Sequence, residues 1–170
     1  MRVIGFAGWS GSGKTSVIRR VIPALIAQGI SVSTVKHAHR GFEIDIPGKD
    51  SYLHRQAGAG EVIVASSDCF ALIHQFHDQQ EIELGSLLSR LAPVDLVIIE
   101  GFKKSGHPQI EVHRPELGKP LLYSETDNII GIVSTGALPS VSVPTLLPED
   151  TPAIVDIVLR GAVAVESLRL

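Results

Sequence analysis

The chain has little sulfur and few rings: one cysteine (Cys69), one methionine, one tryptophan (Trp9) and 5% aromatic residues. A lone thiol cannot close an intramolecular disulfide, so the fold must rest on a packed core, and nothing argues against a reducing compartment. No apolar run reaches 18 residues, the least a spanning helix needs, so no membrane partner is expected. Positive charge is not in excess. With a formal net charge of -3, no global basic field exists and no nucleic-acid partner is expected. The N-terminus carries only Arg2 as charge and its apolar run ends at Gly8, which reads as a first strand rather than a signal peptide. A cytoplasmic location follows as the expectation. Internal repeats and low-complexity stretches are also missing. What is present is 170 residues that are 44% hydrophobic, read as a single domain over 1–170 that is large enough to bury a core.

The most informative segment is Gly8-Trp9-Ser10-Gly11-Ser12-Gly13-Lys14-Thr15, a complete G-x-x-x-x-G-K-[ST] loop. An apolar run, Val3 to Ala7, precedes it as a buried strand, and Ser16 to Gln28 follows as a helix. Strand, glycine-rich loop and helix form the context this motif requires. The glycines let backbone N–H groups turn onto phosphate oxygens. Lys14 reaches the β/γ-phosphates, Thr15 offers a hydroxyl to Mg²⁺, and the helix N-terminus adds partial positive charge. The nucleotide-binding set is therefore Gly8, Ser10, Gly11, Ser12, Gly13, Lys14, Thr15 and Ser16, with Lys36 and Lys49 as added positive charge.

Along the chain, Val17, Ile18, Val21, Ile22, Leu25 and Ile26 recur at helical spacing, with Pro23 as a misfit in the helix interior. Ile30 to Lys36 reads as a second strand, His37 to Lys49 as a loop, and Asp50 as the N-cap of a helix over 51–58. Two runs, 61–65 and 69–75, predict a hairpin, and 81–91 a helix. Val94 to Ile99 is the strongest buried strand. Strands are expected over 109–113, 121–123 and 129–134, an edge strand at 143–147, and a last helix from Thr151 or Pro152 to about Arg169. This alternation implies an α/β, P-loop NTPase fold with a mostly parallel sheet and helices on both faces.

A parallel sheet places its ligand at the C-terminal ends of its strands. Lys36 and His37 follow strand two, and Glu100 follows the Asp95 strand. Asp95 lies about 16 Å away along the strand, at ~3.3 Å per residue, so Glu100 is the expected carboxylate beside Thr15 at the metal. Asp45 and Asp50 are the other candidates for orienting an attacking water or contacting Mg²⁺. His37 and His39 alternate but make no specific zinc pattern. His54, His74, His77, His107 and His113 are read as surface or partner residues. The base-reading Asn-Lys-x-Asp is missing, as are an Asp-x-x-Gly after the Asp95 strand and an arginine-rich lid. From motifs alone the base stays open, as does the choice between a slow Mg²⁺-dependent hydrolase or binder and a P-loop kinase acting on a small metabolite.

Four blocks then converge. They are Gly8 to Thr15; Lys36-His37-Ala38-His39; Ile44 to Ser51 with His54-Arg55-Gln56-Ala57-Gly58; and Asp95 to Lys103. Together they resemble the MobB family of molybdopterin-guanine dinucleotide biosynthesis adapter proteins, with one departure at Ile46, where a longer or polar residue is expected. The resemblance implies a GTP-binding P-loop protein with weak intrinsic GTPase activity. It also implies a homodimer that assists a MobA-like guanylyltransferase, the enzyme that attaches GMP to molybdopterin. It carries phosphate contacts onto Gly11, Ser12, Gly13, Lys14 and Thr15, and supports catalytic candidacy for Asp45, Asp50 and Glu100 without assigning their roles. Homodimerisation fits the stretch 109–123 if it adds to a partner's sheet edge.

Overall fold

The structure is a computed structural model that describes residues 1–38, 42–76, 82–103 and 105–168. The chain forms two compact units, Met1–His37 with Glu83–Leu170, and Ala38–Ile82.

The first unit is built on a seven-stranded sheet. Strand β1 (Arg2–Ala7) leads through the glycine-rich loop into helix α1 (Lys14–Ile26), and β2 (Val32–Lys36) follows. After the second unit come α3 (Leu84–Leu88), β5 (Leu96–Glu100), β6 (Gln109–His113), β7 (Ile129–Ser134), β8 (Thr145–Leu146), α4 (Thr151–Gly161) and β9 (Val163–Ala164). The sheet order is β2-β5-β1-β6-β7-β8, all parallel, with β9 antiparallel to β1. β9 pairs with Arg2 and Val3, beside the end of β1 that β6 leaves unpaired, since β6 pairs only with Gly5 to Ala7. Strands β1 and β5 are apolar on both faces because both faces are covered. Ile4, Phe6, Ile98, Ile110 and Val112 pack with α1 and α4, while Val3, Val97 and Ile99 pack with α3.

Pro23 lies inside α1. The carbonyl it frees belongs to Arg19, and both residues are exposed, so water can take the place of the missing N–H. Helix α4 is capped at both ends. Asp150 accepts a hydrogen bond from the Ala153 N–H at 3.2 Å. The Arg2 guanidinium donates to the Leu159 and Ala162 carbonyls at the other end.

The second unit holds α2 (Asp50–Gln56) and an antiparallel hairpin of β3 (Glu61–Ala65) and β4 (Phe70–His74). Val62 is buried, whereas Ile63, Phe70 and Leu72 face outward.

Several local expectations are corrected. Asp50 is the first helical residue, and Lys49 holds the N-cap position without a side-chain cap. The final helix stops at Gly161, since Ala162 is extended and the chain turns into β9. Leu122–Ser124 is a 3-10 turn rather than a strand. The helix expected over 81–91 covers only Leu84–Leu88, with Glu81 outside the described residues. β6 lies between β1 and β7, so the stretch 109–123 offers no free sheet edge. His107 and His113 are buried rather than on the surface. His39, His77 and Arg169 lie outside the described residues.

Candidate functional site

The site grows from the crossover between β1 and α1. Gly8 has φ of 148°, and a Cβ there would meet the Val112 carbonyl oxygen at 2.4 Å and the Ser12 hydroxyl at 2.6 Å. Only glycine lets the loop leave β1 so close to β6. Gly11 and Gly13 also take positive φ, so the loop turns its backbone amides inward before α1 begins at Lys14. The Lys14 ammonium donates to the Gly8 and Trp9 carbonyls, each at 2.9 Å, which ties the loop into a ring. Burial lowers the Lys14 pKa. Glu100 opposes that shift by raising it, and Lys103 and Lys36 lower it further. Ser12 is buried with no hydrogen-bond partner for its hydroxyl among the described residues, while Ser10 and Ser16 are exposed on either side.

Glu100 ends β5, next to β1, and its carboxylate accepts from the Thr15 hydroxyl at 3.2 Å. The Lys36 ammonium, from the end of β2, lies 3.3 Å from the same Oε1. Thr15, Lys36 and Glu100 line a groove of about 190 Å³ floored by Ile18, Ile22 and Ile98. A hydroxyl and a carboxylate at this separation form a hard-oxygen pair of the kind Mg²⁺ takes, completed by water and phosphate oxygens. Asp95 is at the other end of β5, where its carboxylate accepts from the Ser31 amide at 2.8 Å and hydroxyl at 2.6 Å. Those bonds hold its pKa below the usual carboxylate range. Past Glu100, Gly101 has φ of 100°, and a Cβ there would meet the His37 Cβ at 2.8 Å. This contact lets His37 stack on Phe102 at 4.6 Å. His37 is therefore a packing residue beside the groove, and no group of three or more His, Cys, Asp or Glu that could hold a metal exists among the described residues.

Asp45, Lys49 and Asp50 belong to the second unit. The Asp45 carboxylate accepts from Arg55 Nε at 2.7 Å, and Glu43 accepts from the same guanidinium at 2.8 Å. Lys49 and Asp50 are exposed at the start of α2.

Sequence reasoning missed Lys103, Gln109 and Glu111. The Lys103 ammonium lies 4.5 Å from the Trp9 ring centroid, and Trp9 Nε1 donates to the Pro120 carbonyl at 2.8 Å. Glu111 is fully buried and accepts from the Leu122 and Tyr123 amides, both at 2.8 Å. The signal was the alternation Gln-Glu-His along β6, which ordinarily marks a solvent-facing side of a strand.

A parallel sheet, a Gly-rich loop with Lys14 and Thr15, and an acidic strand end beside them define a P-loop NTPase fold. Comparison with known proteins narrows this class. Residues 3–135 match the family model "MobB: Molybdopterin guanine dinucleotide synthesis protein B". A molybdopterin-guanine dinucleotide biosynthesis adapter protein of Escherichia coli (strain K12) is 43% identical over 67% of this chain and 70% of its own. The protein of that name from Haemophilus influenzae is 37% identical over 78% of this chain and 74% of its own. The crystal structure of Bacillus subtilis MobB superposes with a TM-score of 0.76 at 26% identity, covering 96% of this chain and 99% of that one. A crystal structure of molybdopterin-guanine biosynthesis protein B gives a TM-score of 0.73 at 27% identity, covering 93% and 98%. The chain belongs to the MobB family, the adapters of molybdopterin guanine dinucleotide biosynthesis.

Proposed function

We propose that this adapter binds GTP with Mg²⁺ in the Gly8–Thr15 loop and hydrolyses it slowly, in the cytoplasm, as a homodimer that assists a MobA-like guanylyltransferase. The observation that carries the reading is the convergence of Lys14, Thr15, Lys36 and Glu100 around one loop at the C-terminal ends of β1, β2 and β5. Thr15 and Glu100 would hold Mg²⁺ through oxygen, and the metal would neutralise charge building between the β- and γ-phosphates. Lys14 would exchange its two loop carbonyls for phosphate oxygens, while Ser12 and the amides of Gly11 and Gly13 line the cradle. No arginine or glutamine is hydrogen-bonded into the Lys14–Thr15–Glu100 cluster among the described residues. Such groups supply about 10³–10⁵ in rate, so their lack predicts slow turnover without a partner. Asp45 and Asp50 remain proposed contributors from the second unit, with Arg55 setting the orientation of Asp45.

The homodimer reading is supported by the outward face of the hairpin. Ile63 pairs with Leu72 and Ala65 with Phe70, and Ile63, Phe70 and Leu72 are 66%, 74% and 42% exposed. Apolar side chains clustered on one sheet face favour burial against another chain.

The test is a titration of Trp9 fluorescence with GTP, ATP and GDP in Mg²⁺, with phosphate release read from the same samples. GTP preference with release well below about one per second supports the adapter reading. Faster release without a partner, or consumption that requires an added acceptor, would replace it with a hydrolase or a small-metabolite kinase. Lys14→Ala should weaken triphosphate binding about 10- to 100-fold, the worth of a charge-assisted hydrogen bond or two.

A further inference from the structure

The phosphate loop carries a large ring at a position where its motif accepts any residue. Trp9 is the chain's single tryptophan. Its carbonyl accepts from the Lys14 ammonium at 2.9 Å, so its backbone belongs to the loop that Lys14 closes. Its indole is fixed twice. It packs against the apolar cluster of Ala7 and Leu122, and its Nε1 donates to the Pro120 carbonyl at 2.8 Å. Two cations share this ring: the Lys103 ammonium lies 4.5 Å from the centroid and the Lys119 ammonium 5.5 Å. Neither is within ion-pair distance of a carboxylate among the described residues. Like charges gathered on one neutral ring repel each other, and a partly exposed ring holds each of them weakly. Such a group of cations is arranged for an anion that arrives from outside.

Lys103 is the better placed of the two. It follows Glu100 by three residues, and the chain between them turns sharply. Gly101 has φ of 100°, and Phe102 has φ of 51°. A bulky side chain in the left-handed region is strained, and Phe102 is kept there by stacking on His37. The turn brings Lys103 back to the phosphate loop. The buried Gln109 then pins its backbone, because Gln109 Nε2 donates to the Lys103 carbonyl at 3.1 Å. Only the ammonium is left to move. Burial lowers the Lys14 pKa and the charge of Lys103 lowers it further, so these two ammoniums feel one another. Lys119 is exposed and lies farther from the ring.

We propose that Lys103 is a binding residue for the terminal phosphate: its ammonium rests on the Trp9 ring in the free protein and moves onto the last phosphate group of a bound nucleoside triphosphate. This rests on the nucleotide reading given above. The exchange is favourable for two reasons. A charge-assisted hydrogen bond to a phosphate oxygen is stronger than a cation–π contact at a partly exposed ring, and the move relieves the repulsion with Lys119. A nucleoside diphosphate ends one phosphate short and leaves Lys103 on the ring. Lys103 thus separates triphosphate from diphosphate, and Trp9 reports which of them is bound.

The test is equilibrium titration of the full chain in Mg²⁺ with GTP against GDP and with ATP against ADP, read by calorimetry and by Trp9 emission. Lys103→Met should weaken the triphosphate at least about tenfold and leave the diphosphate unchanged, so the ratio of the two affinities falls by that factor. Lys103→Arg, which keeps the charge, should restore part of the ratio. In the unmodified chain the triphosphate should change Trp9 emission more than the diphosphate does, and in Lys103→Met the two spectra should coincide. Lys119→Met removes the other cation on the ring and should keep the ratio. An unchanged ratio in Lys103→Met, or an equal loss in Lys119→Met, would overturn the proposal and leave the nucleotide reading standing. A ratio that falls for the adenine pair alone would correct the base and keep Lys103 in its role. No nucleotide binding by the unmodified chain, or binding that Lys14→Ala leaves unchanged, would overturn both.

Discussion

At the scale of single residues, Lys14 is held in a site that disfavours its charge. Burial lowers its pKa, and Glu100 raises it against Lys103 and Lys36. An arriving phosphate raises the pKa again, so binding takes up a proton wherever free Lys14 is partly neutral. Affinity should therefore begin to fall at a lower pH than the ordinary lysine value of about 10.4 would give, and Glu100→Gln should bring the fall to lower pH still. Titration with inorganic sulfate, which does not ionise in that range, measures this without interference. A flat profile would show that Lys14 stays charged throughout. Asp95 works in the opposite sense. Its pKa is lowered by the Ser31 hydroxyl and then by the Ser31 backbone. A carboxylate with a depressed folded-state pKa contributes stability above its unfolded value, near 3.9, and loses it as pH falls through the folded value. Acid unfolding should consequently shift to higher pH in Ser31→Ala, while stability at pH 7 also drops. Equal acid midpoints in the two proteins would remove Asp95 from that account.

At the scale of elements, α4 tests how much its ends matter. Asp150 caps the first turn, and Arg2, 148 positions earlier in the chain, caps the last. Asp150→Ala should cost about 1 kcal/mol in urea unfolding. Arg2→Ala should cost about 0.3–1 kcal/mol, and more of it at low salt, where the helix dipole is less screened. The start of α4 at Thr151 was legible because Thr-Pro at the head of an apolar pattern is a start signal that needs no tertiary partner. The end at Gly161 was not. The apolar pattern continues through Val163 and Val165, and those residues leave the helix because β1 offers Arg2 and Val3 as a free edge. Residues 121–123 were misread for a related reason. Their apolar run suggests a strand, but the buried Glu111 carboxylate takes the backbone amides that a sheet ladder would have used.

At the scale of the whole molecule, the outward face of the hairpin bears on assembly. Under the homodimer proposal, Phe70→Asp should shift the chain towards monomer in sedimentation velocity while leaving GTP binding intact, because Phe70 belongs to the second unit and the phosphate loop to the first. An unchanged mass would place the contact elsewhere. The phosphate loop, its strand and its helix were readable from residues 3–28 because that chemistry is local: glycines for the turn, lysine for charge, a hydroxyl for the metal, all within one crossover. The approach of Thr15, Lys36 and Glu100 followed from one more rule, that parallel strands present their C-terminal ends to the ligand. The burial of His107, Gln109, Glu111 and His113 followed from neither. A polar alternation reads the same whether water or a covering turn lies over it. The 122–124 turn lies over Glu111, and its Leu122 and Tyr123 amides give that carboxylate its partners. Local conformational preference and motif spacing thus set most of the elements and the glycine-rich loop with its flanking strand and helix. Long-range pairing alone decided which strand lies in the interior, which polar groups are sealed beneath the second face, and where the last helix ends.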